Sequence, residues 1–258
     1  MFGIVGSRST WLTFLVVRVQ GWPSHKTNSS KNSGAEAHEK NTVHQCEHAF
    51  GLETVSALQA NVAATLTVPD NVMNARVPPV RVESQRLGDG VWLIAGGSHH
   101  SVAVEFADYV TIIEAPLNEE RSLAVIDEVN RLIPRKPIRF IVTTHHHWDH
   151  LGGLRAYVHE GATVITHHDN KPYYQEILRA GPWTLEPDRF SLYPPEEWSE
   201  GYIFETLSEK YVLADQTRTV ELYNVQGLAH AAGMLIAYIP SEKIVVQADL
   251  YFPGAPAP

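Results

Sequence analysis

One cysteine, Cys46, stands in 258 residues, so no intrachain disulfide can form and cysteine usage indicates no redox compartment. Cys46 lies in a polar stretch far upstream of every motif described below, which argues against it as a metal ligand. A long apolar run is also lacking. The N-terminal one, residues 11–17, follows Arg8, is cut off by Arg18 and is too short to span a bilayer. No small-x-small cleavage site follows it, so it reads as a degenerate signal segment, which would fit a periplasmic or secreted protein. Basic residues are few: 20 Lys and Arg against 29 Asp and Glu give a net charge of −9, with no basic stripe. That balance argues against nucleic acid as a partner. The length allows one substantial domain and a tail. Residues 24–45 are polar and without apolar periodicity, and are read as disordered. The division expected is a tail over residues 1–67 and a folded domain over residues 68–258.

The most informative stretch is Thr143-Thr144-His145-His146-His147-Trp148-Asp149-His150-Leu151-Gly152-Gly153. It follows the apolar run Ile138-Arg139-Phe140-Ile141-Val142, which reads as a buried strand. The polar cluster therefore falls in the loop leaving that strand, where open α/β sheets place their sites. In an extended loop His145 and His147 point to the same side, so one ion can take both. Asp149 and His150 lie just beyond and can serve a second. Gly152 and Gly153 allow a tight turn and a helix packed close behind.

The surrounding chain alternates strands and helices. Strands are expected over residues 80–87 and 91–95, and as a hairpin over 101–106 and 109–114. His99 and His100 fall in the intervening loop, either lining a substrate pocket or bonded to backbone and water. Asn118 is an N-cap with Glu119 and Glu120 in the first turn. Leu123, Ile126, Val129, Leu132 and Ile133 form one apolar helical face, which is core. After the motif come a helix over 151–159, a strand over 162–166 and a helix over 169–178. His167 and His168 sit at that strand's end. Residues 181–201 form a loop long enough to be a lid. Residues 203–207, 211–213 and 218–225 are expected to be strands of a second sheet, completed by 234–239 and 243–248.

The spacing His145-x-His147-x-Asp149-His150 resembles the signature of the metallo-β-lactamase fold hydrolases, among them glyoxalase II, lactonases and the zinc β-lactamases. From about Val68 the chain is also similar to a bacterial subgroup of these hydrolases, on residues 68–72, 78–85 and 96–103. The resemblance implies a four-layer αβ/βα sandwich with one or two zinc ions at the sheet edge. It implies that His230, after a strand and the Gly227 turn, is the third ligand of the first metal beside His145 and His147. Ala231 departs from the Thr or Ser usual after that histidine. Asp249, ending the last strand, would bridge two metals, with Asp149 and His150 completing the second site. His167 and His168 would be supporting residues rather than ligands. In the family a further strand, helix and histidine ligand follow the point where this chain stops, so the closing C-terminal element is expected to be missing and the chain to be a fragment.

Zinc favours imidazole and carboxylate donors and lowers the pKa of bound water to about 7. The expected activity is hydrolysis of an ester, thioester or lactone by metal-bound hydroxide, with Asp149 orienting the water. The expected partner is a small-molecule substrate, with neither nucleic acid nor a membrane span; the oligomeric state is not encoded. A β-lactamase using histidine rather than cysteine at the second metal, and a catalytically weak metal-binding protein, are the alternatives.

Overall fold

The computed structural model describes residues 3–4, 14–18, 68–76, 78–179, 187–193 and 204–251. The chain divides into two compact units, residues 1–22 with 79–258, and residues 23–78. In the smaller unit the described residues include a one-turn helix, α1 (Asp70–Met73), closed by a bond from Asn74 Nδ2 to the carbonyl of Asp70. Residues 24–45, expected to be disordered, lie outside the described residues.

Among its described residues the larger unit carries thirteen strands. They are β1 (Gly3–Ile4), β2 (Phe14–Arg18), β3 (Glu83–Gly88), β4 (Val91–Gly96), β5 (His99–Glu105), β6 (Val110–Ile113) and β7 (Ile138–Val142). β8 (Thr163–His167), β9 (Phe204–Leu207), β10 (Lys210–Ala214), β11 (Thr219–Val225), β12 (Met234–Ile239) and β13 (Ile244–Ala248) follow. One sheet runs β3-β4-β5-β6-β7-β8-β9, and the other β1-β2-β13-β12-β11-β10. In the first, β3 to β6 are antiparallel and β6 to β9 are parallel, so the carboxyl ends of β6, β7 and β8 open on one edge. The second is antiparallel throughout.

Strand alternation explains the layering. Val102 and Val104 of β5 and Val142 of β7 meet Leu222, Leu235 and Val246 between the sheets. Ala103, Ile112, Ile141 and Val164 face the other way, onto helices α2 (Glu119–Leu132), α4 (Leu154–His159) and α5 (Lys171–Arg179). Each fully buried aliphatic side chain contributes about 1.5–3 kcal/mol. α2 begins where expected: the Asn118 side chain accepts from the Arg121 amide at 2.9 Å. This is the mixed α/β sandwich of two large sheets that the sequence implied. Among the described residues no helix is long and apolar enough to cross a membrane.

The structure differs from the sequence reading in four places. Phe14–Arg18, read as part of a tail or signal segment, is a strand paired with β13, Val16 opposite Val246. His99 and His100 are not in a loop. The hairpin turn is only Gly97-Ser98, with Gly97 at φ 64, and Gly96 pairs directly with His99. β9 joins the first sheet, parallel to β8, rather than the second. The helix after the motif is broken into α3 (Trp148–Leu151) and α4 by Gly152-Gly153. Of the expected lid, residues 181–186 and 194–201 lie outside the described residues, and between them is a short helix, α6 (Arg189–Leu192).

Candidate metal centre

The motif loop leaves β7 at the open edge of the first sheet. Two backbone bonds fix its start. The Thr144 amide donates to Glu114 Oε1 at 2.7 Å, and the Leu235 amide at the head of β12 donates to the Thr144 carbonyl at 2.8 Å. Tyr174 Oη, wholly buried on α5, donates to the His145 carbonyl at 3.0 Å. His145 is thereby held in the interior while His147, two residues on, is partly exposed.

The second sheet delivers the other half of the site. His230 stands in the turn between β11 and β12. Asp249 follows β13 with φ 58, a left-handed conformation that Asp tolerates better than most residues. Gln247 Oε1 accepts from the amides of Leu250 and Tyr251, at 2.8 and 3.2 Å, and pins this turn.

The side chains converge. His145 Nε2 lies 3.1 Å from His147 Nδ1 and 3.4 Å from His230 Nε2. Asp249 Oδ2 is 3.7 Å from His145 Nε2, 3.3 Å from His230 Nε2 and 3.0 Å from His150 Nε2. One ligand atom from each of His145, His147, His230 and Asp249 lies within 4.8 Å of the others. A second set, His99, Asp149 and His150, meets the same condition. A third, His167, His168 and Asp169, differs in character. His167 Nε2 faces the Ser208 carbonyl at 3.1 Å and its Nδ1 accepts from the Asp169 amide at 3.3 Å, so both its nitrogens are used by backbone.

The donors suit a divalent metal. Burial, reinforced by the imidazoles of His150 and His147, lowers the pKa of His145 to about 3, so the ring is neutral and its nitrogen is a lone-pair donor at neutral pH. Burial and neighbouring His230 also lower that of His147. His150 is the opposite case. Burial pushes it down, but hydrogen bonds to Asp249 and Glu114 outweigh that and raise it to about 10. Burial would raise the Asp249 carboxyl, but the hydrogen bond and charge of His150 hold it below the ordinary range. Asp249 Oδ1 is buried and has no protein partner, a costly state for a carboxylate oxygen unless a cation reaches it.

Glu114 was not singled out from the sequence. It is wholly buried, at φ 75, and its two oxygens take the Thr144 amide and, at 2.6 Å, His150 Nδ1. A carboxylate that orients an imidazole by its far nitrogen is the usual support of a metal-binding histidine. The only sequence signal was a Glu closing the apolar strand β6. From the sequence alone His99 reads either as lining a pocket or as a loop histidine bonded to backbone or water, and not as a ligand. His100, its neighbour, turns away, its Nδ1 accepting from the Gly96 amide at 3.3 Å.

Comparison with known proteins gives three findings. The family model described as the metallo-beta-lactamase superfamily matches residues 94–257. A linear primary-alkylsulfatase of a Pseudomonas species is 37% identical over 57 residues, 22% of this chain and only 8% of that protein. Among solved structures, a metallo-beta-lactamase from Pontibacter korlensis covers 62% of this chain and 68% of its own, at 18% identity and TM-score 0.46. The DIM-1 metallo-beta-lactamase covers 63% and 67%, at 14% identity and TM-score 0.45.

Proposed function

The chain belongs to the metallo-beta-lactamase superfamily of metal-dependent hydrolases, and on that premise we propose that it is a zinc hydrolase acting on an ester, thioester or lactone. The observation that carries this reading is the convergence of His145, His147, His230 and Asp249, from both sheets, with the second carboxylate oxygen of Asp249, Oδ1, buried and without a protein partner. His145, His147 and His230 would hold the first ion, with Asp249 reaching from it toward His150. When bound, zinc supplies a Lewis acid and a water that ionises near neutral pH.

The protein's own groups then have separable tasks. Asp149 is the most exposed carboxylate of the centre, its side chain 30% accessible, and its Oδ2 is held by His99 Nε2 at 3.3 Å. From there it orients water and accepts a proton at Oδ2. His145 is locked from behind by Tyr174 and Thr144, so the centre is preorganised. A sulfate ester is the second reading, favoured by the stretch shared with the alkylsulfatase.

The test is elemental analysis of the purified protein together with turnover of thioester, lactone, β-lactam and alkyl sulfate substrates, with and without added zinc. Asp149→Asn should retain first-site metal and lose turnover by about 10²-fold or more, the usual worth of a positioned proton acceptor. His147→Ala should lose metal. Unchanged metal content in His147→Ala would remove the first-site assignment. A metal-loaded protein that turns over none of the panel would leave a metal-binding protein in place of the hydrolase.

A further inference from the structure

We propose that His99 is a metal ligand, and that with Asp149, His150 and Asp249 it forms a second divalent-cation site beside the first. The proposal deepens the hydrolase reading and rests on it, since Asp249 is shared between the two sites.

The geometry begins with the backbone of β5. The two-residue turn Gly97-Ser98 puts His99 at the first position of the strand, paired with Gly96, so its Cα is fixed by a sheet rather than carried on a loop. Arg121, buried on α2, donates from Nη2 to the His99 carbonyl at 3.0 Å and holds it from the helix side. Strand alternation then sends His100 away from the centre and leaves His99 facing it.

The ring is oriented in the manner of a ligand. Its Nδ1 lies 2.7 Å from Ser98 Oγ, which occupies that nitrogen and leaves Nε2 turned to the centre. Nε2 is 3.3 Å from Asp149 Oδ2. The ring packs edge-on against His150, with centroids 5.0 Å apart. His150 shows the same arrangement. Its Nδ1 is held by Glu114 at 2.6 Å, and its Nε2 faces Asp249 Oδ2 at 3.0 Å and Asp149 Oδ2 at 3.9 Å. Two imidazoles, each secured at Nδ1 by an oxygen, thus present Nε2 to Asp149, and that of His150 also to Asp249. Three of these donors already lie within 4.8 Å of one another, as separate atoms of a preformed cluster.

The counting favours a cation over a simple hydrogen bond. A His99–Asp149 bond alone would engage a single oxygen of Asp149, and only at 3.3 Å. A divalent ion among His99, His150, Asp149 and Asp249 would take two imidazole nitrogens and two carboxylates, displacing the proton of His150, a donor set and number that zinc takes in four-coordinate sites.

The experiment uses the full chain, stripped with a chelator and titrated with zinc or cobalt(II), with bound metal read by elemental analysis. The parent should bind two equivalents. His99→Ala should bind one tightly and the second at least tenfold more weakly, while His100→Ala should match the parent. His99→Cys supplies the direct signature: the cobalt(II) protein should gain sulfur-to-cobalt charge-transfer absorption that the parent, whose only thiol is Cys46, lacks. Thermal unfolding of the stripped variants shows whether each is folded. Two equivalents bound by folded His99→Ala at parental affinity, or no charge-transfer band in folded His99→Cys, would overturn the proposal and leave the first site standing. A parent that binds no metal would overturn the proposal and the hydrolase reading together.

Discussion

Gly152→Ala is the sharpest test of how the motif is seated. Gly152 has no need of an unusual φ, since it lies in the ordinary right-handed region at φ −59. What it needs is space. A Cβ built there falls 2.1 Å from the Leu117 carbonyl oxygen and 2.8 Å from that of Trp148, and real Cβ atoms essentially never approach within 3.0 Å. Both obstacles are backbone, so no side-chain rotation relieves them. The segment that must move is tied to the motif by three bonds: Ala115 N to His150 O at 3.1 Å, Leu117 N to Asp149 O at 3.2 Å and Gly153 N to Ala115 O at 2.9 Å. Relief by about 1 Å stretches these bonds past useful length. Overpacking costs about 1–3 kcal/mol, and each of the three weakened bonds about 1 kcal/mol more, so a loss of about 4–6 kcal/mol is expected. For a domain of this size that is a fall in Tm of about 8–24 °C. Circular dichroism melts of metal-free parent and variant measure it. Asp149 and His150 move with the segment, so metal content should fall too. A Tm within about 2 °C of the parent, with unchanged metal, would refute the reasoning.

Two further outcomes follow from buried pairs. Glu114→Gln leaves an amide facing two donors, the Thr144 amide and His150 Nδ1, and should lower stability by about 2–3 kcal/mol in urea titrations; a change under about 0.5 kcal/mol would mean the carboxylate is not holding the motif. Asp188 caps α6 through the Ser191 amide at 2.8 Å and takes Arg155 at both oxygens, at 2.5 and 3.0 Å. Burial would raise its carboxyl, but these bonds hold it below the ordinary range. Its contribution is therefore full above the unfolded carboxyl pKa of about 4 and is lost as pH falls through the lower folded value. Asp188→Asn should cost about 1–2 kcal/mol at pH 7, and the gap to the parent should close in acid; a gap unchanged down to pH 2 would exclude the pair as its source.

Much of the centre was legible because chemistry and period coincide in one short stretch. An apolar strand followed by imidazoles at alternate positions fixes a loop, a face and a donor type, and β7 has the bounds that its apolar run implied. Less was legible where the deciding contact is remote. Residues 14–17 are an apolar run of no particular period, and only the partner strand β13, over two hundred residues away, makes a strand of them. Phe204–Leu207 carries no mark of which sheet it enters. Glu114 has no spacing relation to His150, since what joins them is the parallel pairing of β6 with β7. His99 was misplaced because two residues, Gly97 and Ser98, suffice to reverse the chain, and a longer loop was assumed.

The bond from Leu235 to Thr144 also bears on how the molecule is made. It joins residues about ninety positions apart, and His99 and Asp249 are separated by still more, so the donors meet only after the two sheets have closed on each other. Contacts of such long sequence separation form late and slowly. A metal ion that needed both sheets would therefore find only part of its donor set in the early, half-built chain. It would act chiefly on the finished molecule, as a latch rather than a nucleus, slowing the opening of the sandwich more than it speeds its closing.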